Sequence, residues 1–190
     1  GIIYYQPSNL NSFTELTRFE ASLPGHTLNE RSNDGSSDGL SPTRVDHGIP
    51  GGNLIFEESW QESDERKTII HAYRANPPYS QIGTYTPGGQ YTYRYIYLDD
   101  YDGDGWDEIA IHSTESQYTA NIAVYRAEGG NFTLNQIWQT GSANGNYYIN
   151  PHWDINQDMK ADLVLEWHPR EISSSGNLTF YEWTGSGFSQ

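Results

Sequence analysis

Asp100-Tyr-Asp-Gly-Asp-Gly-Trp-Asp-Glu-Ile-Ala-Ile111 and Asp154-Ile-Asn-Gln-Asp-Met-Lys-Ala-Asp-Leu-Val-Leu165 carry one pattern, with Asp100 falling on Asp154. Each has an acid or amide at loop positions 1, 3, 5 and 9 and then runs straight into an apolar, strand-type triplet. A second pair of segments recurs at nearly the same period. Asn121-Ile-Ala-Val-Tyr-Arg-Ala-Glu-Gly-Gly-Asn-Phe-Thr133 aligns without a gap on Asn177-Leu-Thr-Phe-Tyr-Glu-Trp-Thr-Gly-Ser-Gly-Phe-Ser189. Two separate segments repeating at nearly one period mark a tandem array of a supersecondary unit.

Towards the N-terminus, a decayed copy precedes these two. Tyr73-Arg-Ala75 mirrors Tyr125-Arg-Ala127, and Asn53-Leu-Ile-Phe56 stands where Glu108-Ile-Ala-Ile111 would fall. Its loop, Asp46-His-Gly-Ile-Pro-Gly-Gly52, keeps one acid. Ile2-Ile-Tyr-Tyr5 followed by Ser12-Phe-Thr14 reads as the final hairpin of a still earlier unit. The organisation is therefore a partial unit over 1–24, a polar loop or insertion over 25–44, a degenerate unit over 45–90, and two well-formed units over 91–145 and 146–190. Strand signals dominate, as in the alternating Tyr91, Tyr93, Tyr95 and Tyr97. Helical spacing is hinted at only over Asn11–Leu23, where Pro24-Gly25 ends it. The class is all-β.

Composition narrows the function. The 190 residues hold 10 basic and 25 acidic side chains, a net charge of −15, which argues against a nucleic-acid or anionic-lipid partner. No apolar run approaches the ~18–20 residues that span a bilayer, so no membrane insertion is expected. With no cysteine there is no disulfide framework, thiol nucleophile or thiolate metal site. The chain opens on Gly1 rather than methionine, which reads as a processed or trimmed product.

Nine of the 25 acids lie in 99–108 and 154–162, where mutual repulsion asks for a cation. Oxygens at alternate positions of a tight loop converge, and calcium takes ~6–8 of them. The candidate ligands are Asp100, Asp102, Asp104 and Glu108 in one loop and Asp154, Asn156, Asp158 and Asp162 in the other. The position-7 backbone carbonyls of Trp106 and Lys160 complete each set. Gly103 and Gly105 permit the turn in the first loop, whereas Met159 replaces the second glycine in the other. An EF-hand is excluded, because its twelfth position needs a glutamate and here holds Ile111 or Leu165. Glu30, Ser32, Asp34 and Asp38 repeat the spacing without a following strand, as a third, weaker candidate.

The pattern Asp-x-Asp-x-Asp-Gly-x-x-Glu/Asp, an apolar triplet and a hairpin ending Tyr…Gly-x-x-Phe resembles the FG-GAP/VCBS repeat of integrin-like β-propellers. The resemblance implies four-stranded antiparallel blades with two calcium ions in loops within blades. It implies a β-propeller-like array of about three blades plus the partial N-terminal unit, an incomplete or small propeller. It also implies a recognition or adhesion module, bound to a protein or carbohydrate surface. Calcium is expected to be structural, and because millimolar calcium outside the cytosol fills even modest sites, a secreted, extracellular or periplasmic setting is expected.

No catalytic constellation is visible. His26, His47, His71, His112, His152 and His168 form no zinc-protease spacing, and there is no nucleophile elbow. His71 and His112 read as strand histidines, and His47 as a loop residue with no partner that spacing reveals. Trp60, Trp138, Trp153, Trp167 and Trp183 read as core between units. The expectation is a non-catalytic module, with a polysaccharide-active hydrolase or a lectin-like domain as the alternatives.

Overall fold

The computed structural model describes residues 1–9, 12–31, 43–88, 93–116, 119–141, 143–144, 146–158, 160–168 and 176–190. Strands β1 (Ile2–Asn9) and β2 (Ser12–Phe19) form an antiparallel hairpin. A first sheet follows as a meander of β3 (Thr27–Arg31), β4 (Asn53–Glu62), β5 (Glu65–Arg74) and β6 (Gln81–Tyr85). The second sheet runs β7 (Tyr93–Asp99), β8 (Glu108–Ser116), β9 (Thr119–Glu128) and β10 (Thr133–Gln139), with the short β11 (Ala143–Asn144) paired to β9. The third comprises β12 (Asn146–Trp153), β13 (Asp162–His168), β14 (Asn177–Trp183) and β15 (Phe188–Ser189). All strand pairs within the sheets are antiparallel. The fold is all-β, and among the described residues no helix is long and apolar enough to cross a membrane.

Two local expectations change. The helical hint over Asn11–Leu23 is strand β2 from Ser12 on, because its phenylalanines and threonines favour a pleated strand and β1 supplies the ladder. Within the expected polar loop 25–44, Thr27–Arg31 is the first strand of the first sheet. Its polarity hid it: among the described residues β3 pairs with β4 alone. The loop candidate 30–38 lies, beyond Arg31, outside the described residues, as does Met159.

Strand alternation sends side chains to successive cores. Ile55, Ile70, Ile96, Leu98, Ile109 and Ile111 close the space between the first and second sheets. Ala110, Ile122, Val124, Ile149, Leu163 and Leu165 do the same between the second and third. On the other face of β4, Leu54 and Phe56 meet Phe19 of the hairpin, with the Phe19 and Phe56 rings 4.5 Å apart. Strand β8 is buried on both faces from Glu108 to Thr114, and its apolar triplet Ile109-Ala-Ile111 serves both cores. Of the tryptophans expected between units, Trp138 and Trp183 border the core of the second and third sheets, and the Trp153 side chain lies outside the described residues. Trp138 and Trp183 pack around Phe188 as half-buried neighbours of the second core, and Trp60 stacks on His26 at 4.2 Å.

Adjacent buried acids on β4 face opposite ways. Glu57 pairs with Arg31 and stands 3.6 Å from Arg66. Glu58, fully buried, accepts from the Ser22 amide (2.9 Å) and hydroxyl (2.6 Å), with His26 Nδ1 at 2.6 Å and His71 Nε2 at 2.8 Å. Burial opposes its ionisation, but these hydrogen bonds outweigh burial and hold the carboxyl down at about 2. The cluster ties the 20–26 connection to the sheet.

A carboxylate whose folded value lies below the ordinary 4.5 contributes stability that is complete above 4.5 and is lost as pH falls through about 2. That contribution is on the order of 3 kcal/mol. Urea unfolding between pH 5 and 2 should show a steep loss in the wild type and a shallower one in Glu58→Gln, which starts ~2–3 kcal/mol less stable at pH 7. Identical acid slopes would overturn the assignment.

Candidate metal centre

The loops joining the first and second strands of each sheet share one hydrogen-bond frame. In the β7–β8 loop, Asp104 N donates to Asp100 Oδ1 (3.1 Å) and to Asp102 Oδ1 (3.0 Å), and Trp106 N donates to Asp104 Oδ1 (2.9 Å). Tyr101 N donates to Glu108 Oε2 (3.1 Å). Every one of these recurs in the β12–β13 loop. Asp158 N donates to Asp154 Oδ1 and Asn156 Oδ1 (both 3.0 Å), Lys160 N to Asp158 Oδ1 (3.1 Å) and Ile155 N to Asp162 Oδ2 (2.7 Å). Short-range acceptance by Asp and Asn from their own loop is what makes the turn so tight.

The degenerate loop keeps two bonds of the frame and one of its acids, Asp46. Val45 N donates to Asn53 Oδ1 (3.2 Å), as Tyr101 does to Glu108, and Gly48 N donates to Asp46 Oδ1 (2.9 Å), as Asp104 does to Asp102. Asp46 is fully buried and its remaining capacity is taken by the second sheet, through Gly130 N (2.9 Å) and Phe132 N (2.7 Å). Gly48 is dictated by this joint: a Cβ there would lie 2.2 Å from Gly130 N.

In the first acidic loop the carboxylates gather. The ligand atoms of Asp100, Asp102 and Glu108 lie within 4.8 Å of one another, and so do those of His47, Asp104 and Glu108. Glu108 is fully buried; burial, with the Asp104 and Asp100 charges beside it, pushes its carboxyl up to about 9. The site is a concentration of negative charge that favours any cation it can hold. Arg126, opposite Glu108 on β9, pairs with Asp102 and stands 3.4 Å from Glu108 Oε1. In the second loop Asp154, Asn156, Asp158 and Asp162 keep the frame, but no third acid or histidine converges within that distance among the described residues. Trp106 stacks on His47, and the Lys160 stem lies along Gly103.

Spacing alone missed the roles of two participants, His47 and Arg126. His47 has partners after all: the Trp106 ring at 5.1 Å and Asp104 Oδ2 at 3.6 Å. Arg126 was legible only once β8 and β9 were put in register, and the alignment of Asn121 on Asn177 sets Glu182 in its place in the next unit. Asn53 and Asp46 show the degenerate loop to be the same device. His112 is buried with neither ring nitrogen hydrogen-bonded, and burial pulls it down to about 4, consistent with a neutral strand histidine. His71 is likewise a strand residue, bonded to Glu58.

No family model matches the chain, no curated protein matches it in sequence, and no solved structure matches it in fold.

Position 4 of the loop adopts a left-handed backbone in both copies, with φ of 77° at Gly103 and 61° at Gln157. A side chain is strained there, and at Gly103 it would also press on Lys160. In chelator, Gly103→Ala should destabilise by about 1–2 kcal/mol and Gln157→Gly should stabilise by about 0.5 kcal/mol, read by urea unfolding. A Gln157→Gly variant that loses stability would contradict a shared loop conformation.

Proposed function

We propose that this chain is a non-catalytic, calcium-binding module of the FG-GAP/VCBS kind, in which two calcium ions hold the acidic loops of a β-propeller-like array. The observation that carries this reading is the hydrogen-bond frame repeated bond for bond in the two acidic loops, which turns four oxygen-bearing side chains into each loop. Hard oxygen donors on a tight loop suit a hard cation. Asp100, Asp102, Asp104 and Glu108 would hold one ion with the Trp106 carbonyl. Asp154, Asn156, Asp158 and Asp162 would hold the other with the Lys160 carbonyl. Calcium at extracellular concentration fills such sites, which places the module in an extracellular or periplasmic setting.

The role is recognition or adhesion. The outer face of the third sheet presents Leu178 and Phe180, 45% and 43% exposed, and Phe180 and Ile155 line one cavity of about 210 Å³ with Asn156, Tyr181 and Glu182. Exposed apolar side chains of this size mark contact surfaces. The aromatic rings beside an amide and a carboxylate also suit a sugar ring, so a protein and a glycan are both candidate partners.

Calorimetric titration of the chelator-stripped protein should show two calcium sites. At ~100-fold excess over its dissociation constant each adds about 2.7 kcal/mol of stability, visible as a rise in melting temperature. Asp100→Asn and Asp154→Asn should each remove one site. No binding and an unchanged melting curve would reduce the loops to acidic turns.

A further inference from the structure

We propose that the first acidic loop also forms a site for a nitrogen-preferring divalent cation, of the zinc or cobalt class, through His47, Asp104 and Glu108. This goes beyond the calcium reading, with which it shares two ligands, because it recruits a residue from the neighbouring sheet. The ligand atoms of the three side chains already lie within 4.8 Å of one another. His47 Nε2 is buried, makes no hydrogen bond, and faces Asp104 Oδ2 at 3.6 Å. That gap is long for a hydrogen bond. It is close to the roughly 3.3 Å that separates two ligands ~2.0–2.2 Å from one tetrahedral ion. One neutral imidazole and two carboxylates balance a divalent charge and leave a fourth position open.

The histidine is held in place before any ion arrives. Its neighbour Asp46 is anchored to Gly130 and Phe132, its own amide reaches Ala127 O at 3.4 Å, and its ring lies on Trp106 at an interplanar angle of 21°. Arg126 pairs with Asp102 and stands 3.4 Å from Glu108 Oε1. The equivalent place at the next joint is chemically different. Setting Val45 on Tyr101 brings His47 onto Gly103, where a Cβ would lie 2.5 Å from the Lys160 stem. The Lys160 ammonium stands 3.6 Å from Asp158, the counterpart of Asp104. One joint thus presents an imidazole nitrogen to its acidic loop, and the other an ammonium.

The test uses the full chain, stripped by chelator and titrated with Co²⁺, read by visible absorption and by quenching of Trp106 fluorescence, with Trp106→Phe identifying that signal. One Co²⁺ per chain should bind with quenching, and Zn²⁺ should displace it. His47→Ala and His47→Gln should each weaken binding by at least ~10-fold. Unchanged melting curves in chelator would show that both variants fold. Co²⁺ affinity indifferent to both substitutions, or no Co²⁺ binding by the wild type, would overturn the inference. Calcium titration of the same samples separates the two readings. Loss of calcium binding in the wild type with Co²⁺ retained sinks the calcium reading alone; calcium binding without His47-dependent Co²⁺ sinks this one alone.

Discussion

Each sheet is fastened to the next through the loop that joins its first two strands. The Arg44 carbonyl accepts from Asp107 N (2.6 Å) across the first joint, and the Asp100 carbonyl accepts from Ala161 N (3.1 Å) across the second. The turn between the third and fourth strands of the following sheet closes over the same loop. Phe132 packs into the core that holds Val45, and Phe188 meets Tyr101 with ring centroids 5.9 Å apart. Because the acids sit in these loops, their charge bears on how the sheets hold together.

The chain solves one electrostatic problem three ways. Where no acid opens the second strand, Asn53 stands in for it one residue later in the loop, and Asp46 accepts from Gly48 of its own loop and from Gly130 and Phe132 of the neighbouring sheet. In the first acidic loop a guanidinium on the adjacent strand answers Asp102 and Glu108. In the second, a lysine within the loop answers Asp158. A buried carboxylate without such an answer is costly, and Glu58 meets the same demand in the first sheet with a serine and two histidines. The local backbone frame is common to the loops, while the source of positive charge or hydrogen bonds is particular to each.

What was legible in the sequence is what depends on neighbours along the chain. The all-β class and the β8 and β13 strands that follow each acidic loop follow from local pattern. Partners brought together by pairing across strands or sheets left no such trace. Arg126 meets Glu108 because β8 and β9 pair Ile109 with Tyr125, and His47 meets Asp104 across a sheet boundary. The polar strand β3 is defined by its partner β4, and the weak helical spacing of β2 lost to the ladder with β1. Glu58 looked like one acid among many until His26 and His71 closed on it.

Identical motif positions also need not have identical environments. Val45, Tyr101 and Ile155 hold the same place in their loops, each donating its amide to the residue that opens the second strand. The first two are 0% and 1% exposed, each beneath the turn of a following sheet, whereas Ile155 is 47% exposed. The motif therefore specifies loop geometry, and burial is decided by whether another sheet lies above it. This divides the labour within the molecule. The second sheet contributes to the cores on both its faces and carries the acidic loop whose ligand atoms gather most closely among the described residues. The third sheet keeps Leu178 and Phe180 of β14 in contact with solvent.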